Sequence, residues 1–190
     1  MLEWLDELDK ILFWLVNSEL ANPVTDFIMP IITSDYVLRI IYAVSIMLIL
    51  WKGNVRLRWI SLFSVVTMVL ADQISSNILK ELFERPRPCQ LMSDLRLLID
   101  CGRGFSMPSS HAANSFAQAA LFGTLISKTR WYMIMGAGLI SISRVFVGVH
   151  YPGDVLAGTI LGLVIGLLVA GLFSRFEKKV INRAVPNRNS

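Results

Sequence analysis

Charge is scarce in this chain. Asp, Glu, Lys and Arg make up 17% of its 190 residues, against about 25% in soluble domains. Hydrophobic residues make up 54%, and the mean hydropathy is +0.58. That balance excludes an ordinary soluble domain and implies an integral membrane protein. Histidine and cysteine are scarcer still, with two of each: His111, His150, Cys89 and Cys101. Two cysteines without a CxxC pair make no zinc cluster. The N-terminus lacks a basic, then apolar, leader, because Glu3, Asp6, Glu7 and Asp9 interrupt it, so no signal peptide is expected there. A net charge of +4 is too small to argue for a nucleic-acid partner, and none is expected. Against this background a charge inside an apolar run is a functional candidate, because placing one in a bilayer is costly.

What is present is helical. Leu5, Leu8, Leu12 and Leu15 recur at helical spacing with acidic residues on the other face. Residues 1–18 therefore read as an amphipathic interfacial helix; a helix packed on a partner is the alternative. Pro23 and Pro30 are expected to break any long helix over 20–35. Five apolar spans follow, at about 36–51, 59–83, 109–127, 131–149 and 151–173, the first of them short for a bilayer. The fold class is thus an all-α membrane bundle of about five transmembrane helices. It forms one domain, with a transmembrane core at 36–173 and a basic tail at 174–190. The loop at 52–58, the turn at 128–130 and the tail carry Lys52, Arg56, Arg58, Lys128, Arg130, Arg175, Lys178, Lys179, Arg183 and Arg188 against Glu177 alone. The positive-inside rule makes this the cytoplasmic face. The other face is then exterior, which in a bacterium is the periplasmic side of the inner membrane. Cys89 and Cys101 fall on that side, where a disulfide persists; a bridge and two free thiols both remain open. Gly158, Gly162, Gly166 and Ala170 recur every four residues, a spacing that lets helices approach closely. Packing within the chain is the expected use, and a monomer is expected.

Three polar clusters share one end of such a bundle. Lys80 and Arg87 close the second span. Ser109, Ser110 and His111 open the third. Arg144, His150 and Asp154 bridge the fourth and fifth. Three cations in a partly dehydrated site call for an anion of more than one charge, and the arginine fork suits phosphate oxygens. The backbone N–H groups that follow Pro108 at a helix start suit the same ligand. A histidine oriented by a carboxylate serves as nucleophile or base, and a second histidine as general acid. These are the parts of an in-line phosphoryl transfer through a phosphohistidine. The cations neutralise the charge, the carboxylates are too scattered for a two-metal site, and neither metal nor cofactor is expected. Asp72, Asn114 and Gln118 are candidates for a supporting or channel-lining role; Asp72 is expected to pair with a basic residue, and hydrogen bonds between helices are the simpler use of Asn114 and Gln118. Arg85 reads as an exposed loop charge, as do Arg96 and Arg103, which could instead meet a head group.

On these residues the chain resembles the type 2 phosphatidic acid phosphatase superfamily of membrane lipid phosphatases. Lys80 through Arg87-Pro88 is similar to its lysine, six residues, arginine-proline motif. Pro108-Ser109-Ser110-His111 is similar to its proline-serine-glycine-histidine motif, with Ser110 where glycine is usual. Ser143-Arg144, His150 and Asp154 are similar to its third motif. The resemblance implies that Lys80, Arg87, Arg144, Ser109 and the Ser110 and His111 amides hold phosphate. It implies that His150 attacks phosphorus with Asp154 fixing its tautomer, and that His111 protonates the leaving oxygen and then activates water. Serine at 110 keeps the N–H but adds bulk, or a hydroxyl donor, where a phosphate would approach.

The implied substrate is a membrane lipid phosphate. An open site beside an amphipathic helix admits a bulky head group, which points to lipid A 1-phosphate; undecaprenyl pyrophosphate, phosphatidylglycerol phosphate and phosphatidic acid are the alternatives. A vanadium-dependent haloperoxidase, whose superfamily resembles this site, is disfavoured by the apolar spans. A lipid-phosphate transporter or scaffold would need the cations, but not His150, Asp154 and a second histidine together.

Overall fold

A computed structural model describes residues 3–181; Arg183 and Arg188 of the basic tail lie outside them. Among the described residues the regular structure is entirely helical. Nine α-helical segments occur: α1 (Glu3–Trp14), α2 (Pro23–Ile32), α3 (Asp35–Lys52), α4 (Val55–Gln73), α5 (Lys80–Phe83), α6 (Pro88–Leu91), α7 (Ser110–Leu125), α8 (Arg130–Phe146) and α9 (Pro152–Phe176). A wide π-type turn, Ile74–Leu79, links α4 to α5.

Two stretches, Val55–Leu91 and Pro152–Val180, are long and apolar enough to cross a membrane, and α2 with α3 forms a third if the pair, bent by 52°, is one span. The other two expected spans correspond to α7 (16 residues) and α8 (17 residues).

Local sequence sets the helix starts. Asn22 caps α2, its Oδ1 accepting from the Val24 and Thr25 backbones, and Pro23 occupies the first turn, where its missing N–H costs nothing. Pro30 was expected to break this segment and does not: it sits inside α2. The helix ends two residues later at Ile32, so the lost backbone bond and the distortion fall at its last turn, where partners are already missing.

α7 and α9 form the central seam, running parallel with both N-termini at one end. A Cβ on Gly158, Gly162 or Gly166 would lie 2.4, 2.3 and 2.3 Å from the carbonyl oxygens of Ser109, Ala113 and Ala117. Only glycine permits backbones this close. In lipid, apolar burial does not drive helices together, so such dense van der Waals contact must do so. Ala117 and Leu121 of α7 and Ile165, Val169 and Ala170 of α9 continue the seam, with Ala71 of α4 against it. The outward face of α9 carries Leu156, Ile160, Leu168 and Leu172, all exposed, as a lipid-facing surface requires.

α4 packs antiparallel to α7 through three polar steps. Ser75 and Ser76 hydroxyls meet Ser110 Oγ (3.0 and 2.9 Å), Asn114 Nδ2 donates to Asp72 Oδ1 (3.2 Å), and Ser64 Oγ donates to Gln118 Oε1 (2.9 Å). Asp72 therefore has an amide partner rather than the cation expected from the sequence. Gln118 also donates to the Ser64 carbonyl (3.0 Å) and joins helices rather than lining a channel.

α1 lies across the end where α7 and α9 begin. Its leucines, Leu5, Leu8 and Leu12, point outward and are exposed, as is Leu15 just after it. Its inward face carries Asp9, which accepts from the Gly153 backbone (2.7 Å), and buried Phe13, which packs edge-on against Tyr151. Asn17, fully buried, donates to the carbonyls of Arg96, Val145 and Phe146 and accepts from Arg96 N. Arg96, read from the sequence as an exposed loop charge or a head-group contact, pairs with Asp26.

Candidate active site

The site is assembled from helix ends. Gly148 adopts φ +85°, and a Cβ there would lie 2.7 Å from the Arg96 carbonyl oxygen. This left-handed turn after α8 directs the chain into Val149 and His150. Pro152 then starts α9 and places Asp154 on its first turn, where Asp154 Oδ2 accepts from the Tyr151 backbone (2.8 Å).

His150 is 2% exposed and Asp154 fully buried. Their direct separation, Nδ1 to Oδ2, is 3.5 Å, too long for a good hydrogen bond. Ser106 closes the gap. Its hydroxyl donates to Asp154 Oδ2 and lies 3.3 Å from His150 Nδ1. Asp154 Oδ1 accepts from Arg85 Nη1 (2.8 Å). A buried carboxylate stays ionised only when it is surrounded by donors of this kind. Burial pushes the His150 imidazole down to about 3, although Asp154 opposes the shift. The ring is therefore neutral near pH 7, with its Nδ1–H directed at Ser106 and Asp154 and its Nε2 lone pair free of that contact.

His111 lies on the first turn of α7. Its Nε2 lies 3.0 Å from the Thr33 carbonyl oxygen. A carbonyl can only accept, so Nε2 carries the proton. Asp35 Oδ1 is 3.4 Å from the same nitrogen. Thr33 also meets Arg144, whose Nη1 donates to Thr33 Oγ1 (2.7 Å), while the buried Arg144 Nε lacks a partner. Ser109 is fully buried and its hydroxyl has no partner. Arg87 is anchored on the loop, donating to the carbonyls of Cys101 (2.9 Å) and Gly104 (3.3 Å). That loop is pinned by a disulfide between Cys89 and Cys101. Lys80 lies within electrostatic reach of both Arg87 and Arg144. Ser110 turns its hydroxyl away, onto Ser75 and Ser76. The extra atom relative to glycine thus ties α7 to the wide turn before α5.

The structure therefore brings Lys80, Arg87, Ser109, Arg144, His111, His150 and Asp154 to one end of the bundle. Asp72 and Asn114 lie one step deeper along α4 and α7, and Gln118 one step deeper still. Among the described residues no cluster of three or more His, Cys, Asp or Glu side chains is arranged to hold a metal ion.

Three residues at this end were not anticipated as parts of the site. Ser106 bridges the histidine and the aspartate. Thr33 joins His111 to Arg144. Arg85, expected to be an exposed loop charge, is mostly buried and bonded to Asp154. The signal for Arg85 was its position two residues before Arg87, with the unpaired acids of the N-terminal helix as available partners.

The family model described as the PAP2 superfamily matches residues 61–178. The chain belongs to the PAP2 superfamily. It is 34% identical over 173 residues to a lipid A 4'-phosphatase of Bacteroides thetaiotaomicron, covering 85% of this chain and 75% of the relative. It is 31% identical over 156 residues to the undecaprenyl-diphosphatase BcrC of Bacillus subtilis, covering 82% and 77%. Among solved structures it resembles LpxE of Aquifex aeolicus, with a TM-score of 0.63 and 26% identity over 86% of this chain and 95% of that one. The PAP2 match begins at residue 61, so α1, α2 and α3 lie outside it.

Proposed function

We propose that this PAP2-superfamily enzyme hydrolyses a phosphate from lipid A through a phosphohistidine at His150. The observation that carries the mechanism is a buried His150 whose Nδ1 faces Ser106 and Asp154. Lys80, Arg87 and Arg144, with Ser109 and the first N–H groups of α7, hold the phosphate and offset its charge. His150 Nε2 forms a bond to phosphorus in line with the departing lipid oxygen. As that P–O bond breaks, His111, acting as the imidazolium, delivers its Nε2 proton to the oxygen and is left neutral. His111, now neutral and able to accept, takes a proton from water. The hydroxide attacks phosphorus, the P–N bond breaks, and phosphate leaves with His150 regenerated. The sum is phosphomonoester plus water to alcohol plus phosphate. No step is assigned to a metal.

Lipid A is supported by the Bacteroides relative, whose similarity covers 85% of this chain. The 4'-phosphate is accordingly favoured over the 1-phosphate. Undecaprenyl pyrophosphate is the second reading, supported by the Bacillus subtilis relative. In this reading the chain crosses the membrane five times, α1 lies in the exterior interface, and the site opens at the outer face of a bacterial inner membrane. The outward leucines of α1 and the cationic loops at the opposite end support that placement.

Phosphate release should be compared across lipid A, undecaprenyl pyrophosphate, phosphatidylglycerol phosphate and phosphatidic acid in mixed micelles, with mass spectrometry to locate the phosphate lost from lipid A. Preferential loss of the 4'-phosphate is expected; preferential turnover of another lipid rejects lipid A. For orientation, an impermeant thiol reagent added to reduced intact cells should label Cys89 and Cys101. Labelling only after the cells are opened would reverse the assignment.

A further inference from the structure

Arg85 stands outside the chemistry just described, yet it is the most heavily bonded cation at this end. Nη1 meets Asp154 Oδ1 at 2.8 Å and Asp9 Oδ2 at 2.7 Å, Nη2 meets Asp6 Oδ1 at 3.1 Å, and the guanidinium carbon stands 4.2 Å from the centre of the Tyr151 ring. Three carboxylates and an aromatic face leave it little capacity for phosphate. Asp9 has a second attachment, to the Gly153 backbone N–H at 2.7 Å. One acid of α1 therefore grips both Arg85 and the first turn of α9, which carries Asp154. Phe13 against Tyr151 and Asn17 against the end of α8 fix α1 on this surface.

We propose that Arg85, held by Asp9 of α1, is a positioning residue for the Asp154–His150 pair, which makes the N-terminal helix part of the catalytic apparatus. The proposal rests on His150 being the nucleophile. Arg85 occupies Oδ1 of Asp154 and so directs Oδ2 toward Ser106 and His150 Nδ1. It also separates the negative charge of Asp9 from that of Asp154. Without Arg85, Asp9 would face Asp154 with no intervening cation, and the carboxylate would be free to rotate away from the histidine. The two acids of α1 that reach Arg85, Asp6 and Asp9, lie three apart on one helix face, with buried Phe13 between them in angle.

The test is steady-state hydrolysis by Arg85→Gln, Arg85→Lys, Asp9→Asn, the double variant Arg85→Gln/Asp9→Asn, and His150→Ala, all full-length in nanodiscs with the best lipid substrate. Arg85→Gln should lower kcat about 10- to 100-fold with KM within about threefold, as losing an outer partner of a catalytic group does. Arg85→Lys should recover part of the loss, because a single ammonium reaches fewer of the three carboxylates. The double variant should exceed Arg85→Gln in kcat, because removing the Asp9 charge relieves the repulsion that Arg85 had screened. A purely structural contact would give losses that add and that follow the melting temperature; that pattern overturns the proposal. Should Arg85→Gln fail to fold, an unchanged kcat in both Arg85→Lys and Asp9→Asn overturns it. Turnover in His150→Ala would instead remove the mechanism on which the proposal rests. Inactive His150→Ala beside fully active Arg85→Gln rejects the positioning role alone.

Discussion

α7 and α3 are helices of similar length with opposite surroundings. α7 buries Ala112, Ala113, Ala117, Gln118, Ala119, Ala120, Leu121 and Gly123, whereas α3 buries no residue. α7 is built from small and polar side chains, and α3 from Ile, Leu, Val and Met. In water this would look inverted, with the more apolar helix outside. In a bilayer it is expected, since large apolar side chains are satisfied by lipid while small residues admit another backbone and polar ones need protein partners. Beside α3, an open apolar groove of about 630 Å3, lined by Tyr42, Met47, Leu50, Trp51 and Val65 among others, lies toward the end of the bundle remote from His150. This groove and the chemistry are thus at opposite ends, and the polar side chains rather than the groove locate the site.

Substitutions can break this contrast. The largest effect is expected for Gly162→Leu, whose Cβ would fall 2.3 Å from the Ala113 carbonyl oxygen. Forcing the seam apart should cost about 3 kcal/mol or more, read as a large drop in the unfolding midpoint in detergent. Gln118→Leu removes two bonds to Ser64, which keeps Tyr42 as a partner at 2.8 Å; about 1 kcal/mol is expected for such interhelical bonds. Ser110→Gly restores the residue usual in the family and frees Ser75 and Ser76. It should lower stability by about 0.5–1 kcal/mol while leaving kcat within about threefold, since the hydroxyl points away from the phosphate end. Ile41→Ala, on the exposed face of α3, should change stability by less than about 0.5 kcal/mol. An Ile41→Ala cost equal to that of Gly162→Leu would erase the distinction between the two helices.

The same contrast explains what could be read from the sequence. The placement of Ser109, His111, His150 and Asp154 at helix ends was legible because Pro108, Gly148 and Pro152 fix those ends within a few positions. The four-residue glycine spacing was legible because it is a property of one helix. Ser106, Thr33 and Arg85 were not, because each acquires its role across a large sequence separation: Ser106 from Asp154, Thr33 from Arg144, Arg85 from Asp9. Such pairings follow from how α1 and the α2–α3 bend fold back over the site end, and no local pattern encodes them. Asp72 illustrates the reverse error. A cation was expected where Asn114 supplies the partner. Pro30 shows that a proline ends a helix only where enough helix remains to be ended.

The central claim is that His150 carries the phosphoryl group. The direct measurement is to mix the enzyme with lipid substrate bearing radiolabelled phosphate, quench within the first turnover in base, and locate the protein-bound label by peptide mapping. Wild-type protein should hold a base-stable, acid-labile label on the peptide containing His150, and His150→Ala should lack it. Label on another residue, or phosphate release by His150→Ala at an appreciable rate, would contradict the assignment.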